Sequence, residues 1–438
     1  MKLSKLIVFM LLAVLLVLLG GTAVAQDTTT LTVTWWGSDN RHEKTIEVIE
    51  MFEAEHPEID IEYEFSGWSD YWTRVQTQAA GGSVACVMQQ DYNYLTSWAQ
   101  GGQLMPLDDL IESGAIDVAD VNPNILDTGR VPMDDMNQVY GISLGSNSQV
   151  YLLDVDAFEE AGLELPSREW TWDEFEELGY QMYDNTGKWM IAYTPWDDNS
   201  TWAMLNSTGQ TSFTFDGTTF GWDDPQPLID YWARIKRMMD YGAIPSMEMQ
   251  ADVAAASPSH EQSPITRGEE AVRYQWSNQI AAVIDASNEL SEGERHFELY
   301  PLPRAGDQVA NFIKPSMFFS ITDGCETVEE AALFIDYFTN NLEANEVLFA
   351  ERGVPIAPAV LDHLSMMVDE ATASVFDFVA TMAETAGPLP PPSPAGYTDL
   401  INNVFAPTVE LVLYGEISPE EGVEIFREEG QAVLDANH

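Results

Sequence analysis

Cysteine is nearly absent from this chain. Its 438 residues include two, Cys86 and Cys325, too few for a fold stapled by disulfides and without metal-ligand spacing. The six histidines are scattered and form no HExxH pair, so neither zinc nor another cofactor is expected. Lysine is scarce too: past residue 25 only Lys44, Lys188, Lys236 and Lys314 occur. Against 72 Asp and Glu stand 18 Lys and Arg, a formal charge of −54. Such a surface repels nucleic acid and anionic lipid, which argues against both as partners. The acids alternate with apolar residues, as on solvated helix faces rather than in a tail. They serve solubility, or they suit a saline medium in which screening removes self-repulsion; composition leaves both open.

Long apolar runs are also missing after residue 25, and with them any candidate membrane span. Ahead of that point, Lys2 and Lys5, the run Leu6–Leu19 and Ala23-Val24-Ala25 make the three-part pattern of a secretory signal, cleaved after Ala25. The run is short for a span, and no cysteine at the cleavage point could carry a lipid. An exported, soluble mature chain is expected, with two domains or one large bilobal one.

What the sequence does have is a βα beginning. In LTVTWW, Leu31, Val33 and Trp35 alternate with Thr32, Thr34 and Trp36, a strand pattern. A helix with Ile46, Ile49 and Phe52 on one face follows, stopped by Pro57, and IDIEYEF is a second strand. A further helix ends at Gly81-Gly82, and Cys86 to Gln89 read as a third strand. Such order predicts a parallel sheet, whose ligands bind beyond the carboxyl ends of the strands. Thr171, Thr327 and Ser418 each open a capping-box pattern. IKPSMFFSITDG reads as one buried strand, and PLPPPSP, 388–394, as a rigid loop inside a domain.

Several stretches in this order carry a family resemblance: WWGSDNRHEKTIEVIEMFEAEHPEIDIEYEFSGWSDYW, QAAGGSVACVMQQDYNYLTSWAQGGQLMPLDDLI, VYGISLGSNSQVYLLDVDAFEEAGLELPSREWTWDEF, YQWSNQI and ERGVPI. The chain resembles the extracellular solute-binding proteins of carbohydrate ABC importers, the family-1 group similar to maltose-binding protein. The resemblance implies an α/β, two-lobed periplasmic-binding-protein type II fold, each lobe a mostly parallel sheet flanked by helices. It places hinge crossovers near 141–145, 315–318 and 353–358. One lobe would be 27–142 with 317–352, the other 143–316 with 353–438. Two departures stand out: Ala85-Cys86 where the family often has Pro-Asp, and Leu152-Leu153-Asp154 where it often has an asparagine. In this fold the strand Met317 to Thr322 runs antiparallel beside the third strand, so Cys86 and Cys325 fall at one end and a disulfide is expected; two buried thiols are the alternative.

A sugar offers C–H patches to aromatic faces and hydroxyls to Asp, Asn, Gln and Arg. After strand one, Trp36, Ser38, Asp39 and Asn40 are candidates, with Trp35 as core and Asp39 alternatively an N-cap. Trp68 is a loop platform after strand two, and Gln90 and Asp91 end strand three. In the second lobe come Asn147, Trp276 and Asn278, Trp276 chiefly through the family's Trp-Ser-Asn stretch. Trp196, Trp202 and Tyr397 are further candidates. The expected function is a non-enzymatic, monomeric receptor that delivers a sugar to a membrane permease. An exported glycoside hydrolase with paired carboxylates, or the same fold binding a non-sugar solute, are the alternatives.

Overall fold

The computed structural model describes residues 28–437 apart from 38, 134–135, 193–196, 258–259 and 292–294. The leader pattern and two site candidates, Ser38 and Trp196, lie outside the described residues.

Strands and helices alternate at the start: β1 (Thr29–Trp36), α1 (Asp39–Glu55), β2 (Ile59–Ser66), α2 (Trp68–Gly81), β3 (Val87–Gln90) and α3 (Tyr92–Gln100). Alternation in β1 buries Leu31, Val33 and Trp35, while α1 turns Thr45, Val48, Ile49 and Phe52 inward. β1 pairs with β2 in parallel from Thr29↔Ile59 to Trp36↔Ser66, and with β3, also in parallel, on its other edge.

The remaining strands are β4 (Arg130–Met133), β5 (Met136–Val139), β6 (Ile142–Ser143), β7 (Ser146–Asp154), β8 (Val272–Trp276), β9 (Phe297–Tyr300), β10 (Ile313–Pro315) and β11 (Phe318–Ile321). β4 and β5 form a hairpin. The first sheet has the order β2-β1-β3-β11-β6, and the second β10-β7-β8 with β9 also on β7. Helices flank both sheets, as the α/β reading requires. In the second sheet, however, every pairing is antiparallel, unlike the mostly parallel sheet expected there. IKPSMFFSITDG is likewise two strands, not one. Pro315 cannot donate to a ladder, and the chain leaves one sheet there and enters the other at Phe318.

Three passes of chain lie side by side between the sheets. Leu144 N donates to Met317 O (2.9 Å) and Ser316 N to Gly145 O (3.0 Å), while Ser146 and Val354 exchange both amide bonds (2.8 and 3.0 Å). Gly145 makes this possible, because a Cβ there would meet the Arg352 carbonyl oxygen at 2.2 Å.

β7 alternates between two cores. Tyr151 and Leu153 join a cluster with Trp170, Trp172, Trp232 and Phe426. Val150 and Leu152 join the other, which continues through Phe376 and Phe378 to β1 and α1.

Thr171 forms its capping box, and Ser418 and Glu421 exchange the same two bonds. Thr327 caps nothing with its side chain; its hydroxyl instead lies 3.4 Å from Cys86 Sγ. Cys86 and Cys325 are joined as a disulfide, with α-carbons 4.7 Å apart. The bond closes the end of the first sheet remote from Gln90.

Candidate functional site

The carboxyl end of β3 delivers the chain into α3, and Asp91 caps that helix by accepting from Asn93 N at 2.9 Å. Asp91, Tyr92 and Asn93 form one wall of a crevice of about 140 Å³. The opposite wall comes from the second sheet, as Gln149, Trp276, Phe312 and Lys314. Register explains the grouping: Lys314 lies opposite Asn147, and Gln149 opposite Trp276. Period 2 along each strand then puts these four side chains on one face. Asn199, Trp202, Ser212, Phe213, residues 389–393 and Tyr397 complete the lining.

Polar groups in this crevice are held by specific partners. Gln149 Nε2 donates to Tyr274 Oη at 2.9 Å, while its Oε1 is buried without a donor among the described residues. Asn147 Oδ1 accepts from Ser277 Oγ at 3.3 Å. Trp202 Nε1 donates to Tyr397 Oη at 3.1 Å, and Tyr397 Oη in turn donates a hydrogen bond to Asp198 Oδ2. Burial and Asp198 hold the Tyr397 phenol far above its ordinary range, so it stays a donor. Neighbouring Asp197, capping the helix Asp198–Asn206 through Ser200 N, is pushed up to about 7 by burial. Trp276 meets Phe312 edge-on with centroids 6.0 Å apart.

The proline-rich loop crosses the crevice mouth. Tyr92 Oη donates to Pro390 O at 2.8 Å, and Ser393 N to Asn93 Oδ1 at 3.1 Å. The crevice is thereby narrower than the roughly 300–1,000 Å³ usual for ligand pockets.

Four expected site residues meet here: Asp91, Trp202, Trp276 and Tyr397. Asn147 shares the Gln149 face, packed where a Cβ on Gly353 would touch it at 3.1 Å. Trp36 lies outside the lining; it is 7 % exposed because Trp68, Tyr71 and Trp72 close over it at 5.0–5.6 Å. Trp68 is the open member of that group, 43 % exposed, and is not part of the lining either. Gln90 is fully buried, its Oε1 accepting from Asp91 N. Asp39 and Asn40 are exposed in the first turn of α1, and Asn278 is exposed on the short turn after β8. Sequence reasoning missed Tyr92, Asn93, Gln149, Asn199, Ser212, Phe213, Phe312, Lys314 and the proline loop as lining. For Lys314 a signal existed, since it is one of four lysines past residue 25.

A larger cavity, about 670 Å³, lies beside β9 and the helix Glu370–Thr385. Its cations are engaged: Arg168 pairs with Glu298 and Arg304 with Glu169. Its described lining contains no tryptophan and no residue of the first sheet. The crevice is therefore the better candidate.

Residues 47–373 match the sequence profile of the bacterial extracellular solute-binding proteins. The chain is similar to an extracellular solute-binding protein of family 1 from Alicyclobacillus acidocaldarius: 25 % identity, 93 % of this chain and 99 % of that one covered, TM-score 0.80. A periplasmic oligogalacturonide-binding protein from Yersinia enterocolitica shares the fold at 24 % identity, covering 93 % and 100 %, with TM-score 0.77. Among curated relatives, an uncharacterised lipoprotein of Streptomyces antibioticus is 24 % identical over 34 % of this chain and 32 % of its own length. The chain thus spans about a third of the length of the curated relatives it matches.

Proposed function

Because the chain belongs to the bacterial extracellular solute-binding proteins, we propose that it captures a sugar or oligosaccharide in the crevice and hands it, unaltered, to the permease of an ABC importer. It does so outside the cytoplasm, in the periplasm or at the cell exterior, as a monomer released from a cleaved leader. The two lobes are 27–142 with 317–352 and 143–316 with 353–438, and they rock about the three passes at Gly145, Ser316 and Val354. Ligand draws the lobes together through its higher affinity for the closed state.

One observation carries this reading. The Trp276 indole and Gln149, whose buried Oε1 has no donor among the described residues, line the wall opposite Asp91. An indole suits a sugar's C–H face. A buried acceptor without a donor costs about 1–3 kcal/mol, which a ligand hydroxyl would relieve. The periplasmic oligogalacturonide-binding protein of Yersinia enterocolitica has the same fold, which supports the reading. Hydrolysis would need two carboxylates at a set spacing about the scissile bond. Among the described residues, Asp91 is the sole carboxylate lining the crevice. Thermal-shift screening against a glycan panel, with product analysis on the same samples, tests the proposal. A raised melting temperature with intact glycan supports it; released products, or no glycan that binds, overturn it.

A further inference from the structure

Resting on the sugar reading, we propose that the saccharide is acidic, and that its carboxylate or sulfate pairs with Lys314. Lys314 projects from β10 onto the face that carries Asn147, Gln149 and Trp276. Its Nζ lies over the Trp276 ring, 5.0 Å from the centroid, so the ammonium sits at the indole face and meets the substituents of a sugar ring seated against that tryptophan.

Among the described residues no carboxylate engages this ammonium, although the chain has 72 acids against 18 bases. Lys188 pairs with Glu160 at 3.0 Å and Lys236 with Asp240 at 2.7 Å, and Lys44 Nζ donates to the Leu348 carbonyl at 3.0 Å, whereas exposed Lys314 has only the Trp276 ring as a partner among the described residues. Asp91 shares the crevice, but one of its oxygens caps α3 and it stands on the other wall. Closing the crevice over a neutral sugar would desolvate Lys314 without an anion, which is unfavourable. An acidic substituent removes that penalty. The many surface carboxylates do not cancel the effect, since screening limits their reach to about 8 Å at physiological salt.

Isothermal titration with digalacturonate, a sulfated galactobiose and neutral galactobiose provides the test, on wild type and Lys314→Met. The wild type should prefer one of the acidic disaccharides over the neutral one by about tenfold or more, as expected for a desolvated charge pair. In Lys314→Met that ratio should fall towards one, with an unchanged melting temperature. Equal or tighter binding of the neutral sugar by wild type overturns the inference while leaving the sugar reading standing. An acid preference that survives in Lys314→Met also overturns it. If wild type binds none of the three, nor any neutral glycan, both readings fall together.

Discussion

Tyr92 and Pro390 both line the crevice, and the tyrosine hydroxyl donates to the proline carbonyl at 2.8 Å. Nearly three hundred residues of chain separate them. The bond therefore ties the head of α3 to a loop that follows the helix Glu370–Thr385. A single neutral bond of this kind is worth about 1 kcal/mol. Tyr92→Phe should accordingly release ligand roughly fivefold faster, by the same 1 kcal/mol, with little change in melting temperature. Stopped-flow tryptophan fluorescence measures the release rate; an unaltered rate would show that this hydrogen bond does not resist opening.

Trp36 gives the opposite expectation from a residue that belongs inside a lobe. It is enclosed by Trp68, Tyr71 and Trp72, so Trp36→Ala should cost about 3–5 kcal/mol of stability. Urea denaturation would register this as a lowered midpoint. A midpoint close to wild type would mean that the ring is far less confined than its 7 % exposure indicates.

Gly145 is where the three passes crowd. A side chain there meets the Arg352 carbonyl at 2.2 Å, while a Cβ on Gly324 meets nothing within 4 Å. Gly145→Val should destabilise by about 2 kcal/mol or more, and Gly324→Ala should stay within about 0.5 kcal/mol of wild type. Paired melting curves of the two variants decide the matter.

Asp197 makes stability depend on pH. Its carboxyl sits at about 7 in the folded chain because of burial, against an ordinary 3.8. Between those values the folded state holds a proton that the unfolded state has released. The contribution of this group to stability therefore declines as pH rises from about 4 to 7. Asp197→Asn keeps an N-cap acceptor but cannot ionise, so its melting temperature should gain on wild type between pH 5 and pH 8. A constant difference across that range would place the titration elsewhere.

The opening βα units were legible because period 2 in β1 and one apolar face in α1 are local signals. Asp91 was legible as the end of a strand, where crevice residues gather, and Trp276 through the resemblance carried by its Trp-Ser-Asn stretch. Trp36 was not: alternation separates it from Trp35, but only the fold shows α2 laying Tyr71 and Trp72 over it. That Gln149 and Lys314 share one wall was equally hidden. It depends on the register between β7 and β10, strands more than 150 residues apart, and no local pattern records that pairing. The antiparallel second sheet escaped for the same reason, and the proline loop's reach to Tyr92 is a tertiary contact without a sequence signature.

The central claim is that Trp276 forms a binding face in the crevice rather than part of a core. Isothermal titration of wild type and Trp276→Ala with one saccharide found in the glycan screen tests it most directly. Loss of about 2 kcal/mol or more of binding free energy is expected for a central aromatic contact, with the circular dichroism and melting temperature of wild type retained. An unchanged dissociation constant in a folded Trp276→Ala protein would contradict the account.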